Sequence, residues 1–183
     1  MKIRTFLALE LPHTVRNKLS AHAELISGYD KIQQIRWLSK DNYHLTLVFL
    51  GSVEYYLISS LQLMLEQNLS SIKAVFFRFS EITPFPFYGS PKIAAAMLEH
   101  SEDLIQLQHY TAKCASAFGI SLERRRFSPH VTLGRLKSRS RKSIGFQPQP
   151  ILLEGVSRKL VIFQSEPTPK GAVHTSLGEI SLM

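Results

Sequence analysis

Two histidines in this chain stand in the same local context. One segment reads Tyr43-His44-Leu45-Thr46-Leu47 and the other Pro129-His130-Val131-Thr132-Leu133, so the histidines lie 86 residues apart in a chain of 183. On a strand, side chains i and i+2 share a face, so His44 projects with Thr46 and His130 with Thr132, while Leu45 and Val131 turn into a core. Two such strands facing each other line a cleft with two imidazoles and two hydroxyls. Imidazoles titrate near neutrality, so one can take a proton while the other gives one in a single turnover. Hydroxyls donate hydrogen bonds to phosphate oxygens. This chemistry needs no metal. A lone His-x-Thr arises often by chance; its repetition on two strands at about half-chain spacing is what marks a site.

The other five histidines lack that context. His13 and His22 fall on the first expected helix, His100 and His109 at or in the third, and His174 near the last strand; all five read as surface or packing residues. A metal centre finds little support, since the only aspartates are Asp30, Asp41 and Asp103, and one cysteine builds no zinc site. Cys114 reads as a small core residue on a helix. No Gly-x-x-x-x-Gly-Lys-Ser/Thr loop and no Gly-x-Ser-x-Gly elbow is present.

Apolar periodicity sets out the elements that must hold the two motifs. Helices are expected over 12–26, with Val15, Leu19, Ala23 and Ile26 on one face, over 54–69, and over 102–118, closed by Gly119. Strands are expected over 3–10, 35–38, 43–50 ended by Gly51, 74–82, 92–98, 128–136, 152–154, 159–164 and 173–182. Residues 83–91, with three prolines, three aromatics and a glycine, read as a loop, and 137–149 as a basic one. Strands often follow strands without a helix between them, which favours antiparallel sheet and an α+β class. With no low-complexity linker, two similar halves must share one body. Trp37, Phe85 and Phe87 fit either the core or a base-stacking surface.

The composition is 44% hydrophobic and 10% aromatic, enough for a core and unlike a disordered chain. No apolar run is long enough to span a bilayer, and the start lacks the pattern of a signal peptide, so a cytoplasmic protein is expected. Lys and Arg number 22 against 14 Asp and Glu, a net charge of +8. Residues 124–142 hold Arg124, Arg125, Arg126, Arg135, Lys137, Arg139, Arg141 and Lys142 and no acid, so the excess sits around the second motif. A patch of that kind suits a polyanion. Arg125 and Arg126 are the candidate substrate-binding cations, with Arg135 weighed beside them.

These motifs resemble the two-histidine (2H) phosphoesterases, and within them the RNA 2',3'-cyclic phosphodiesterases, also called the 2'-5' RNA ligase family. The likeness runs from Arg4-Thr5-Phe6-Leu7-Ala8-Leu9-Glu10-Leu11-Pro12 through Arg36-Trp37, Asn42 to Gly51, and Arg125 to Arg135, to Leu160-Val161-Ile162-Phe163-Gln164-Ser165. Ala94-Ala95-Ala96 departs from it where an aromatic is expected, and His174 stands where the family often has tyrosine. The resemblance implies a single 2H domain over 1–183: two pseudo-symmetric lobes of antiparallel sheet, helices outside, and the active-site cleft between the lobes. It implies hydrolysis of an RNA 2',3'-cyclic phosphate to a 2'-phosphate, with His130 as base toward water and His44 as acid toward the 3' oxygen. Thr46 and Thr132 would bind the phosphate. RNA ends or small cyclic nucleotides are the expected partners. No metal, cofactor or membrane is expected, and the protein is expected to be a monomer. A non-catalytic RNA-binding module and 2'-5' end-joining at the same site remain the alternatives.

Overall fold

Residues 5–9 are buried without a break, because β1 (Lys2–Glu10) has a strand on either side and apolar cover on both faces. The computed structural model describes residues 1–30, 33–69, 71–87, 90–122, 126–137, 146–169 and 171–183. After β1 come α1 (His13–Ser27), β2 (Ile35–Trp37), a 3-10 turn (Lys40–Asn42) and β3 (His44–Glu54). A second 3-10 turn (Tyr55–Leu57) leads into α2 (Ile58–Leu69), followed by β4 (Val75–Phe85), β5 (Ile93–Leu98) and α3 (Glu102–Ala117). The chain closes with β6 (His130–Leu136), β7 (Gln149–Ser157), β8 (Lys159–Thr168) and β9 (Gly171–Ser181).

α1 buries the four residues its periodicity predicts, Val15, Leu19, Ala23 and Ile26. The ends of α3 are set by local chemistry. Ser101 Oγ accepts the Leu104 N–H at one end, where Glu102 and Asp103 also face the positive helix terminus. At the other end Gly119, at φ +75°, lets its own N–H reach the Ser116 carbonyl and the Ile120 N–H reach that of Ala115.

Every strand pairing is antiparallel, and the order is β7-β4-β5-β6-β3-β1-β8-β9, with β2 beside β6. The sheet is open and falls into two lobes, β3-β1-β8-β9 and β6-β5-β4-β7. The same connection in chain order recurs, β1 through α1 to β3 and β5 through α3 to β6, with α1 packed against β2, β6 and β7 and α3 against β3 and β4. The lobes meet where Leu45 pairs with Val131. Beyond that point β3 diverges, and β2 takes its place along β6, with Ile35, Arg36 and Trp37 opposite Leu136, Arg135 and Gly134. The three helices share one core with Leu7, Leu9, Leu45, Leu47, Ala94, Ala96, Val131 and Leu133. The other side of the sheet is the cleft. None of the helices among the described residues is long and apolar enough to cross a membrane.

Three expectations change. Gly51 does not end its strand: at φ +71° it forms a bulge opposite Thr5 and Phe6, and β3 continues to Glu54. The 83–91 loop begins later, because Thr83 and Phe85 pair with Ala95 and Ile93. The short strand at 152–154 is the centre of β7, since Val75 to Ile82 supplies a partner as far back as Gln149. Most of the basic 137–149 loop lies outside the described residues.

Candidate active site

The Leu45–Val131 pair sits at the centre of the site. Extending the antiparallel register by one residue each way sets His44 opposite Thr132 and Thr46 opposite His130, all four on the face away from Leu45 and Val131. Leu45 and Val131 are fully buried, so a slip of one residue would drive both histidines into the core. The two motifs are therefore brought together as a pseudo-twofold pair. Neither threonine hydroxyl makes a hydrogen bond within the protein among the described residues, which leaves both free for a ligand.

His130 Nδ1 lies 2.8 Å from the Ser128 carbonyl oxygen, two residues before it, and the Asn42 backbone likewise favours the protonated form of His44. A carbonyl only accepts, so Nδ1 of His130 carries the hydrogen and Nε2 is the nitrogen left to react.

The surroundings of the two rings differ. His44 packs 4.8 Å from Phe6 and 5.8 Å from Phe163, centroid to centroid, and meets His174 edge-on at 5.1 Å. His130 packs 4.9 Å from Phe85, which also contacts Phe87. Burial depresses all three histidines below the ordinary 6.5. His44 falls furthest, to about 4, through burial first and then the charges of His174, His130 and Arg135, which outweigh the opposing pull of the Asn42 backbone. With no anion between them, both imidazoles are neutral at pH 7.

His174, expected as a surface or packing residue, packs in the cleft: β9 places it opposite Ser165, and its ring meets both Phe6 and His44. Its Nδ1 is buried with no hydrogen-bond partner among the described residues. Arg135 is the second residue under-read in the sequence. Simple alternation from His130 and Thr132 would put it on the core face. Leu133 has no partner on β5, because Ala94 pairs with Gly134 and Ala95 with Thr132. That bulge turns Arg135 to the cleft, where its charge reaches all three histidines. β3 has the matching bulge at Leu47, between the Ala8–Thr46 and Leu7–Val48 pairs, so Phe49 is the pseudo-symmetric counterpart of Arg135.

Of the two predicted arginines, Arg126 is exposed in the segment before β6 and makes no ion pair among the described residues, and Arg125 lies outside them. Trp37 packs against the helix-side core rather than the cleft.

Residues 23–144 match the family described as the 2'-5' RNA ligase superfamily. The chain is 28% identical to an RNA 2',3'-cyclic phosphodiesterase of Thermotoga maritima, over 97% of this chain and 94% of that one. It is 26% identical to the Bacillus subtilis protein of the same name, over 71% and 69% of the two chains. A solved Thermus thermophilus protein superposes with a TM-score of 0.85 at 25% identity, covering 98% of each chain. E. coli LigT, solved with 3'-AMP, superposes at 0.81 with 21% identity over 100% of this chain and 99% of its own, a likeness of fold.

Proposed function

The chain belongs to the 2'-5' RNA ligase superfamily, and from that membership we propose that it hydrolyses the 2',3'-cyclic phosphate of an RNA end, or of a small cyclic nucleotide, to a 2'-phosphate. The observation that carries this reading is the single Leu45–Val131 pair, which turns two separate His-x-Thr segments into one cradle. Nε2 of His130 takes a proton from water as its oxygen attacks phosphorus. The bond from phosphorus to the 3' oxygen breaks, and His44 gives that oxygen a proton. Thr46 and Thr132 donate to the non-bridging oxygens, and Arg135 balances the charge that builds on them. His130 ends protonated and His44 neutral, so one proton exchange with solvent resets the site.

His44 is neutral in the empty cleft, so on this reading its proton arrives with the anionic substrate, whose charge favours imidazolium. No step is routed through a metal or cofactor, and we read the protein as a cytoplasmic monomer. Joining of RNA ends through a 2'-5' linkage is the reverse reaction at the same groups.

The test is turnover of an oligonucleotide ending in a 2',3'-cyclic phosphate, with and without EDTA. Wild type should cleave it in both, and His44→Ala and His130→Ala should each lose about 100- to 10,000-fold in kcat. RNA binding without cleavage by the wild type would instead make the chain a binding module. Loss of activity on chelation would refute the metal-free scheme.

A further inference from the structure

The cleft face of β6 does not stop at the reacting groups. Past the bulge at Leu133 it runs into a concavity of about 230 Å³ lined by Arg36, Arg135, Leu136 and Lys137. Arg36 and Arg135 are directly paired across β2 and β6, so their side chains leave the sheet on the same face. Like charges at directly opposed positions destabilise a sheet when nothing lies between them. Lys137 follows on the same side of β6, held by its N–H to the Gln34 carbonyl. Among the described residues no carboxylate forms an ion pair with any of the three.

The sequence goes to some length to keep these cations together. β2 can lie against β6 only because residue 134 is glycine: a Cβ there would stand 2.5 Å from Ile35 Cγ2 and 3.3 Å from both Trp37 Cε3 and the Arg36 carbonyl. Two aspartate oxygens pin the entry to β2, since the Asp30 carboxylate accepts the N–H groups of Gln34 and Ile35, each at 2.9 Å. An arrangement that fixes two arginines side by side, with a lysine next to them, is built for an anion with more than one charge-bearing oxygen.

We infer that Arg36, Arg135 and Lys137 form a second phosphate subsite, which takes the 5'-phosphate of the nucleotide whose cyclic phosphate lies between His44 and His130. This rests on the proposed reaction for the identity of the first phosphate. Thr132 and Arg135 are three residue steps apart along the strand, a Cα span of about 10 Å or less, and the long arginine and lysine side chains cover the remaining gap. In an RNA end the next anion along the chain is the phosphodiester at the 5' oxygen of that same nucleotide. A nucleoside 2',3'-cyclic phosphate without a 5'-phosphate leaves the subsite empty. An oligonucleotide end fills it, so the subsite distinguishes RNA ends from free nucleoside products.

Calorimetric binding of adenosine 2'-monophosphate and adenosine 2',5'-bisphosphate tests this without requiring turnover. Wild type should bind the bisphosphate about tenfold more tightly or better, as expected for one added charge-assisted phosphate contact. In Arg36→Gln and in Lys137→Gln that advantage should shrink toward onefold, with affinity for the monophosphate unchanged. Both side chains are exposed, so folding should survive. Both variants should also turn over adenosine 2',3'-cyclic phosphate at the wild-type rate. Equal affinity of the two ligands for wild type, or an advantage untouched in both variants, overturns the subsite. Failure of wild type to turn over both the cyclic nucleotide and an oligonucleotide ending in a 2',3'-cyclic phosphate overturns the proposed reaction and leaves the affinity ratio to be read on its own.

Discussion

Acidification should destabilise the empty protein, and His44 sets the size of the effect. Burial and neighbouring positive charge hold its imidazole at about 4, against an ordinary value of 6.5. In the unfolded chain it returns to the ordinary value. Below pH 6.5 the unfolded state then binds a proton that the folded state refuses. The contribution is complete above pH 6.5 and is lost as pH falls toward 4. For one site with those two values, the loss between about pH 7.5 and about pH 5 is about 2 kcal/mol, a large part of a typical domain's stability. His130 and His174 are shifted in the same direction and add to the loss. The assay is urea unfolding at both pH values for wild type and His44→Gln. Carboxylates titrate in both proteins and cancel in the difference. Wild type should lose about 2 kcal/mol more than the variant. Saturating inorganic phosphate should shrink that gap, because an anion between the motifs lets His44 accept its proton. Equal losses in the two proteins would refute the claim that the folded cleft holds His44 neutral, and with it the delivery of the acid's proton by the substrate.

Two further outcomes follow from the same geometry. Thr46→Val and Thr132→Val keep side-chain shape and remove hydroxyls that bond nothing else among the described residues; each should cost about 1–2 kcal/mol in kcat/KM, roughly 5- to 30-fold, with the urea midpoint unchanged. A fall in stability of the same size would mean the hydroxyls serve the fold instead. Gly134→Ala places its Cβ against Ile35, Trp37 and the Arg36 carbonyl, so it should destabilise the protein by about 1–3 kcal/mol and weaken bisphosphate binding more than monophosphate binding. A variant with wild-type stability and affinity ratio would show that β2 is free to shift.

Much of the site could be read from residue order because the chemistry lies on a period of two. His44 with Thr46 and His130 with Thr132 keep their face for as long as the ladder is regular, and both pairs come before the first irregularity in their strands. The bulges come next. Leu47 and Leu133 each add one residue, which flips every later side chain to the other face. Strict alternation would therefore set Arg135 on the core face, and a charged residue at such a position is itself a sign that the alternation breaks before it. His174 was hidden for another reason. Its neighbours Phe6, His44 and Phe163 come from distant parts of the chain, and its place beside them depends on β8 and β9 pairing across a further irregularity between Ile162 and Phe163. No spacing along one strand encodes that.

The pseudo-twofold axis presents a chemical problem that the surroundings of the motifs resolve. Matching strands and matching bulges alone would give the two imidazoles the same proton affinity, whereas acid–base catalysis needs them to differ at the moment of reaction. The difference enters outside the motifs. Phe49 and Arg135 occupy equivalent positions, but in the divergent cleft Arg135 lies beyond Thr132, on the side of His44 and His174. It adds positive charge where His44 is already crowded by Phe6, Phe163 and His174, while His130 meets mainly Phe85. Before substrate arrives, His44 is the ring least able to hold a proton. Once a phosphate anion sits among Thr46, Thr132 and Arg135, the cation that opposed the proton is neutralised and the anion favours it. On the proposed reaction, the same arginine that disfavours a proton on His44 thus makes its acid form conditional on a bound anion, which ties protonation of His44 to substrate binding.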